Sequence, residues 1–232
     1  MTNRTERYAR RGDRKRRFDK VGKAALVVAV VGALALIARQ QPEEANASAL
    51  PSGGFSFGLV TVARHLNQRV DALEGELQLA QSQLDRANAI IGFSGRYHIG
   101  ADIASDVYDV ALAEGIEPEL GFRLVDVESQ FHPRATSSAG AIGLTQIEPG
   151  TARYFDKEIT REQLYDRRTN LHYGFRHLHS LLEEYHGDVT LALLVYNRGP
   201  VTVESMRLLG QDPRNGYEQA VARGYHGKGK ID

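Results

Sequence analysis

A single glutamate, Glu128, closes an apolar-periodic stretch and is followed by Ser129 and a loop rich in turn residues. Leu124, Val125 and Phe131 lie close to it in sequence, so part of its surroundings is expected to be apolar. Desolvation disfavours a charged carboxylate and raises its pKa above the reference of about 4.3. A carboxyl that keeps its proton near neutral pH can protonate a leaving oxygen as a general acid. The alternative is an ordinary helix-end glutamate that faces water.

Small and hydrogen-bonding residues follow Glu128 and indicate a ligand cleft. The segment 133–143 holds Ser137 and several small residues, which let a ligand approach the backbone closely. Gln146 carries an amide that both donates and accepts, which suits a sugar hydroxyl or an N-acetyl group. Much later in the chain, Tyr196 supplies a phenol and Asn197 a second amide. This hypothesis requires the two distant segments to meet in space.

The elements that must bring these segments together are helices. Apolar spacing predicts helices near residues 101–114, 118–130, 145–155, 161–185, 188–196, 200–209 and 216–223, and strand alternation is nearly absent. Pro118 and Pro200 at first-turn positions and Asp188 as a cap mark three of the starts. Residues 97–225 are therefore predicted to form one all-α domain, followed by a tail at 226–232.

A heptad pattern precedes this domain. Apolar residues alternate in steps of four and three: Leu66, Val70, Leu73, Leu77, Ala80, Leu84, Ala87 and Ile91. This spacing predicts a coiled-coil-like helix over residues 58–91, which the run Gly-Phe-Ser-Gly at 92–95 is expected to break. We favour a homodimer through residues 66–91. The alternative is that the apolar stripe packs onto the following domain.

Charge is divided sharply along the 232 residues. Residues 1–23 carry ten Lys or Arg and three acidic residues, a net charge of +7, although the whole chain is neutral. An uncharged apolar block follows at 24–38, and a linker at 39–57 contains Pro, Ser and Gly. A basic flank before an apolar block is typical of a signal-anchor or transmembrane segment. The basic tail would then stay in the cytoplasm, and everything after the block would be exported to the periplasm or cell envelope.

Two other interpretations of the N-terminus stay open. The apolar block has fifteen residues, fewer than the roughly 20 that a spanning helix needs. A signal peptide cleaved near the Ala-Asn-Ala at 45–47, and hence secretion, is one alternative. A soluble core helix beside a nucleic-acid-binding tail is the other, but the apolar block explains the basic tail more simply, and we expect no nucleic-acid partner. The absence of cysteine excludes disulfides and thiolate chemistry.

Three ordered motifs resemble those of the lytic transglycosylases, which have an SLT-type catalytic domain with a goose-type lysozyme-like fold. The family shows a Glu-Ser pair, a Gly-Leu-Met-Gln-Ile/Leu run, and an Ala-Tyr-Asn segment followed by Gly-Pro. This chain reads Glu-Ser at 128–129, Gly-Leu-Thr-Gln-Ile at 143–147 and Val-Tyr-Asn-Arg-Gly-Pro at 195–200. The likeness covers about residues 100–222, just over half of the chain.

The resemblance implies an enzyme that cleaves peptidoglycan glycan strands with Glu128 as its single acid/base. Glu128 would protonate the β-1,4 glycosidic oxygen between N-acetylmuramic acid and N-acetylglucosamine. It would then deprotonate the muramoyl C6 hydroxyl, which gives a 1,6-anhydro product without water. The family positions that hold the glycan or support the acid are matched by Ser137, Gln146, Tyr196 and Asn197, and more loosely by Tyr217. No cofactor is implied.

Departures from the family pattern bear on glycan preference more than on the type of reaction. Thr145 stands where Met is usual, which is expected to exchange an apolar cleft wall for a hydroxyl, and Val195 replaces Ala.

Hydrolytic glycosidases use two carboxylates, about 5–5.5 or 6.5–9.5 Å apart. Asp126 is expected to point to another helix face than Glu128, so Glu148 is the candidate second carboxylate. A lysozyme-like muramidase is therefore one alternative, and a non-catalytic peptidoglycan-binding scaffold is another.

Three histidines, His172, His177 and His179, raise the question of a metal site. Helical residues two apart diverge, and no third ligand has suitable spacing. We therefore expect a solvated helix face and no bound metal.

Overall fold

The computed structural model describes residues 54–231, with side chains described from residue 62 onward. Within that range the chain forms α-helices joined by short loops, and its β-pairing is limited to isolated bridges. The helices are α1 (Gly54–Tyr97), α2 (Ala101–Ala113), α3 (Pro118–Ser129), α4 (Pro149–Phe155), α5 (Arg167–Glu184), α6 (Val189–Arg198), α7 (Pro200–Leu208) and α8 (Tyr217–Ala222). The prediction of an all-α domain is confirmed.

Local sequence signals explain where several helices begin. Pro118 and Pro200 occupy the first turns of α3 and α7, where a missing N–H leaves no hydrogen bond unmade. The carboxylate of Asp166 caps α5 by accepting from the N–H of Thr169 at 2.9 Å, and Asp188 caps α6 in the same way. The predicted starts at Pro118, Asp188 and Pro200 are thus confirmed.

Helix α1 does not break at the Gly-Phe-Ser-Gly run, so that prediction is wrong. The helix continues to Tyr97, and His98 then ends it with a φ of 54°. Phe93 stacks on Phe122 of α3 with ring centroids 4.0 Å apart, and Tyr97 stacks on the same ring at 5.6 Å. Glycine weakens a helix by only about 1 kcal/mol, so aromatic packing of this kind outweighs it.

Two predicted helices are shorter than expected. Helix α4 begins at Pro149 rather than near residue 145, because residues 130–148 form an irregular loop. Gln130, Phe131 and Gln146 all have positive φ there, and bridges join Ile142 to residues 136 and 147. The predicted helix over 161–185 is a 3₁₀ turn (Gln163–Tyr165) followed by α5.

The core lies between α2, α3, α5 and α6. Its fully buried side chains include Leu120, Phe122, Phe175, Leu178 and Leu193. A smaller apolar cluster beneath the loop, around Ile142, Ile147 and Leu164, supports residues 142–147. Together these clusters fix the end of α3 and the loop that follows it.

The heptad residues of α1 are exposed. The chain divides into two units between Leu66 and Asn67, and in the second unit Val70, Leu73, Leu77 and Leu84 are 50%, 59%, 69% and 55% exposed. The alternative that this stripe packs onto the following domain is therefore wrong. Further along α1, other side chains do pack on that domain: Ile90 is buried, and Arg86 pairs with Asp109 at 2.6 Å.

The basic tail at 1–23, the apolar block at 24–38 and most of the linker at 39–57 lie outside the described residues. Across residues 54–231, no helix combines the length and the apolar character needed to cross a membrane. At the other end, residues 226–231 lie against the α2–α3 loop, where the N–H of Ile231 donates to the carbonyl of Gly115 at 2.8 Å.

Candidate active site

A cleft of about 850 Å³ opens beside the C-terminal end of α3. Its walls come from α3, the loop 130–148, α4, α5 and α6. Five of the six residues that the resemblance assigns to the site line it: Glu128, Ser137, Gln146, Tyr196 and Asn197. The two segments that the sequence left far apart therefore meet at one site.

Glu128 lies in the last turn of α3 and reaches into the cleft. Burial raises the pKa of its carboxyl from 4.5 to about 7, and the hydrogen bond from Tyr217 offsets part of this rise. A carboxyl with such a pKa populates both its protonated and its deprotonated form near neutral pH. It can therefore give a proton to a ligand and take one back.

Tyr217 is the direct partner of Glu128. Its phenol donates a hydrogen bond to Glu128 Oε1, and burial keeps the pKa of Tyr217 well above its usual value, with the nearby carboxylate adding to the effect. Tyr217 thus remains a donor at any physiological pH. It is absent from the cleft lining, and its hydrogen bond supports the Glu128 carboxyl. Its contact with a glycan stays a prediction.

Ser129 ties the acid to the loop. Its buried hydroxyl lies within hydrogen-bonding distance of the carbonyls of Leu144, at 2.8 Å, and Val125, at 3.1 Å. The first contact joins the end of α3 to the Gly-Leu-Thr-Gln-Ile run. The position of Glu128 relative to that run is therefore fixed by its neighbour in sequence.

The loop side of the cleft presents Gln146 and Ser137. Gln146 has a φ of 47°, and its Nε2 donates to the carbonyl of Gly143 at 2.9 Å. This holds the amide in place while its oxygen can still accept from a ligand. Ser137 Oγ accepts from the N–H of Ala141 at 3.1 Å, which leaves its O–H able to donate.

The opposite wall presents Tyr196 and Asn197. The phenol of Tyr196 donates to the carbonyl of Thr145 at 2.9 Å and so connects α6 with the loop. Burial, with the Glu128 charge as a second cause, raises the pKa of Tyr196 well above its usual value, so it stays neutral. Asn197 Oδ1 accepts from Asn215 Nδ2 at 2.8 Å.

Thr145 does not form a cleft wall, which corrects the expectation from the sequence. It is fully buried, and its backbone N–H and Oγ1 both donate to Asn170 Oδ1 at 2.9 Å. Asn170 Nδ2 donates to the carbonyls of Ile142 and Leu164 at 2.8 and 2.9 Å. Thr145 thus anchors the loop from behind. A larger residue at Gly143 or Gly174 would strike this Thr145–Asn170 pair.

The two other acidic candidates differ in position. Glu148 is exposed and lines the cleft, whereas Asp126 is exposed and absent from the lining. The inference that Asp126 points away from the Glu128 site agrees with this placement. Glu148 and Glu184 are the acidic residues that line the cleft together with Glu128.

His177 does not lie on a solvated face, so the expectation is wrong for this residue, whereas the side chains of His172 and His179 are 37% and 35% exposed. His177 lines the cleft, with its ring centroid 5.2 Å from that of Tyr196, and burial lowers its pKa to about 4. His172 contacts Glu114 at 2.6 Å, and His179 Nδ1 is buried. Within residues 54–231, no group of three or more His, Asp or Glu side chains is arranged to hold a metal ion.

Two contributors to the site were missed from the sequence. His177 lies on an apolar-periodic helix, and its position one turn after the buried Tyr173 signals an inward face. Asn170 is a polar residue directly before the buried Leu171 in the first turn of α5. A polar residue on the apolar face of a helix is expected to be buried, and a buried polar side chain needs hydrogen-bond partners.

Fold and site together define an all-α domain with a cleft and one desolvated, tyrosine-supported carboxyl that can exchange protons with a ligand. Residues 108–213 match the model of the family described as the transglycosylase SLT domain. The chain therefore contains a transglycosylase SLT domain, and the resemblance found in its sequence motifs is confirmed.

Curated relatives agree with this assignment. The chain is 39% identical to a transglycosylase of Enterobacteria phage PRD1 over 84 residues, which is 36% of this chain and 30% of that protein. It is 38% identical to the membrane-bound lytic murein transglycosylase C of Actinobacillus pleuropneumoniae over 91 residues, which is 36% of this chain and 25% of that protein. The match thus spans less than a third of the length of these relatives.

A solved structure of the lytic transglycosylase Slt from Pseudomonas aeruginosa is also similar. It shares 25% sequence identity with this chain, with a TM-score of 0.44, over 50% of this chain and 22% of that one.

Proposed function

We propose that this chain is a peptidoglycan lytic transglycosylase. It would cleave the β-1,4 bond between N-acetylmuramic acid and N-acetylglucosamine and leave a 1,6-anhydro end. The single observation that carries this proposal is the Glu128 carboxyl, partly buried in the SLT domain's cleft with its pKa raised to about 7. The names of the relatives, which include lytic murein transglycosylases, support the same substrate.

In the proposed reaction, one carboxyl serves both proton transfers. Protonated Glu128 gives its proton to the glycosidic oxygen as the C1–O4 bond breaks, and N-acetylglucosamine leaves with a free 4-hydroxyl. The Glu128 carboxylate then takes the proton of the muramoyl C6 hydroxyl as O6 bonds to C1 of the same sugar. The carboxyl returns to its acid form and no water is consumed. A pKa near 7 suits both roles.

The other cleft residues would hold the glycan. Ser137, Gln146 and Asn197 offer hydroxyl and amide groups for sugar and N-acetyl contacts, and Tyr196 offers a ring edge. Tyr217, which lies behind the carboxyl, would orient Glu128. The proposed fold is of the goose-type lysozyme-like kind, which agrees with the helical domain and with the SLT motifs.

A digest of purified peptidoglycan sacculi tests the proposal. We expect the full chain to release 1,6-anhydro-muropeptides and Glu128→Gln to release almost none, although it still binds the sacculi. Reducing-end products would instead support a muramidase, the second candidate, which is favoured by the presence of Glu148 in the same cleft. Binding without cleavage by the native chain would support a scaffold.

We also propose that the chain is anchored in the cytoplasmic membrane and that residues 66–91 pair with a second copy. The basic-then-apolar order of residues 1–38 supports the first proposal, because it would export the SLT domain to the compartment of its substrate. The relative named as membrane-bound agrees with such a location. The exposed heptad residues of α1 support the second. Membrane fractionation with alkaline extraction checks the anchor, and a fully extractable chain would exclude it.

A further inference from the structure

We infer that α1 pairs with α1 of a second copy in parallel and in register. The inference rests on the proposed self-association and adds its direction. The seam is the exposed apolar stripe of α1, with Val70, Leu77, Leu84 and Ile91 at heptad position a and Leu66, Leu73, Ala80 and Ala87 at position d. In water, an exposed stripe of this length gains free energy when a second helix covers it.

The residues that flank the seam select the parallel direction. Arg69 occupies a g position and Glu74 the following e position. In a parallel dimer, the residue at position g of one helix faces the residue at position e of the following heptad in the other helix. Arg69 of each copy therefore faces Glu74 of the other copy, which gives two opposite-charge pairs per dimer. The next two g–e pairs are Glu76 with Gln81 and Gln83 with Asn88, and neither pair sets like charges together.

The antiparallel arrangement lacks this complementarity. When the same four heptads pair in the opposite direction, g faces g and e faces e. Arg69 would then face Ile90, and Glu74 would face Gln81. Ile90 is buried against its own domain, so the antiparallel partner of Arg69 would also be inaccessible.

The residue types at two of the four a positions also favour the parallel direction. β-Branched residues at position a with Leu at position d favour parallel two-stranded coils. Val70 and Ile91 at a, with Leu66 and Leu73 at d, follow this pattern. Leu77 and Leu84 at a do not, and Ala80 and Ala87 at d weaken the seam. Two chains anchored through their N-termini in one membrane would also begin their helices at the same end.

Pairing of two α1 helices through this seam would not cover the catalytic cleft. Glu128 and the cleft are built from residues 128–200, and the face of α1 that touches this domain carries Arg86, Ile90 and Phe93. The seam residues Leu84 and Ile91 are exposed beside that face. A parallel pair would therefore carry two catalytic domains at the same end of a shared stalk.

Disulfide trapping in the full chain tests the direction, because the native sequence contains no cysteine. A disulfide needs Cα atoms within about 7 Å. In a parallel, in-register pair, residue 73 meets residue 73 and residue 84 meets residue 84. In the antiparallel pair residue 73 meets residue 84. The variants are L73C and L84C, alone and mixed, with S82C on the outer f position as the matched control.

We expect L73C and L84C each to form a covalent dimer on mild oxidation, at least about tenfold faster than S82C. Cross-linking only in the mixture of L73C and L84C would overturn the parallel direction. Rates no higher than S82C in every sample would overturn pairing itself. The sacculus digest measures glycan cleavage independently of cross-linking. Failure of the enzymatic proposal can therefore be distinguished from failure of the parallel direction and from failure of pairing.

Charge exchange gives an independent readout that does not rely on new cysteines. R69E would place two like-charge pairs in a parallel dimer and is expected to weaken dimerisation about fivefold in sedimentation of the full chain in detergent micelles. The double variant R69E/E74R should restore it. Equal dimerisation by R69E and the native chain would contradict the parallel register. Circular dichroism checks that α1 stays helical in each variant.

Discussion

Tyr217 donates a hydrogen bond from its phenol to Oε1 of Glu128, although 89 residues separate the two in sequence. The contact joins the last turn of α3 to the first residue of α8. It favours the carboxylate form and so acts against the burial that raises the pKa of Glu128. Glu128 is thereby held near the pKa at which one group can serve as both acid and base.

Tyr217→Phe is expected to raise the pKa of Glu128 further and to slow the release of anhydro-muropeptides. Loss of the hydrogen bond destabilises the carboxylate, and a less restrained carboxyl should reduce the rate by about tenfold or more. The measurement is the initial rate between about pH 4 and pH 9. The alkaline limb should move above that of the native chain.

Tyr225→Phe is the matched control for this change. Tyr225 also donates to a carboxylate, Glu117 at 2.7 Å, but neither residue lines the cleft. Its rate and pH profile should match the native chain. If Tyr217→Phe and Tyr225→Phe behaved alike, the support of Glu128 by Tyr217 would be disproved.

Glu128→Gln is expected to stabilise the fold above neutral pH and to change it little in acid. The folded-state pKa of Glu128 is raised from 4.5 to about 7. Folding therefore favours the protonated form, and the native chain loses stability as the pH rises between these values. One pKa unit corresponds to about 1.4 kcal/mol, so the variant should gain at most about 3 kcal/mol relative to the native chain.

Urea unfolding at about pH 4 and about pH 8 measures this difference. Glu148→Gln serves as the control, because its side chain lines the same cleft but is exposed. Its free energy of unfolding should change by less than about 0.5 kcal/mol at both values. A Glu128→Gln effect independent of pH would mean that the carboxyl is not desolvated.

Asn170→Ala is expected to destabilise the domain by about 3–5 kcal/mol. The side chain is buried and holds the loop through Thr145, Ile142 and Leu164, so its removal leaves several backbone groups without partners. Thr145→Val, which removes one hydroxyl at nearly constant shape, should cost only about 1 kcal/mol. Chemical denaturation compares the two variants, and equal losses would contradict the anchoring role of Asn170.

The sequence predicted the helical domain, because the starts of helices depend on local patterns. The meeting of the two distant motifs was a requirement of the hypothesis, which the fold then met. Apolar periods, prolines and capping aspartates determine where α3, α6 and α7 begin. Glu128, Gln146 and Tyr196 were found because their residue types and order are distinctive. Candidate residues of this kind can be identified from the sequence, because their chemical role depends on the type of side chain.

What the sequence could not predict depends on tertiary contacts. The low helix propensity of the glycines at 92 and 95 predicts the end of a helix there. Helix α1 nevertheless continues past them, because Phe93 stacks on Phe122. Thr145 was expected at the cleft wall because it stands where the family usually has Met. Its side chain turns inward only because Asn170, from α5, is there to receive it. The partnership of Tyr217 and Glu128 likewise needed the fold.

His177 is expected to remain uncharged in the cleft down to about pH 4. Burial between α5 and α6 disfavours its cationic form, and its pKa is lowered from 6.5 to about 4. Its neutral ring can then donate or accept a hydrogen bond without attracting anions. NMR titration of the ring signals, assigned by their loss in His177→Gln, measures the midpoint. A midpoint near 6.5 would show that the ring is solvated.

Glu148 provides the last test, since it decides between transfer within one sugar and attack by water. Hydrolysis needs a second carboxylate to position water, and Glu148 is the acidic residue that shares the cleft loop with Gln146. Its side chain is exposed, however, and a catalytic carboxylate needs surrounding groups that fix its position. We therefore expect Glu148→Gln to leave the ratio of anhydro to reducing-end muropeptides unchanged, with a change in rate below about threefold. Mass spectrometry of the digest gives the ratio, and Asp126→Asn, outside the cleft, is the control. A selective loss of reducing-end products in Glu148→Gln would assign hydrolysis to the native chain and give Glu128 a partner, because only water activation would depend on the second carboxylate.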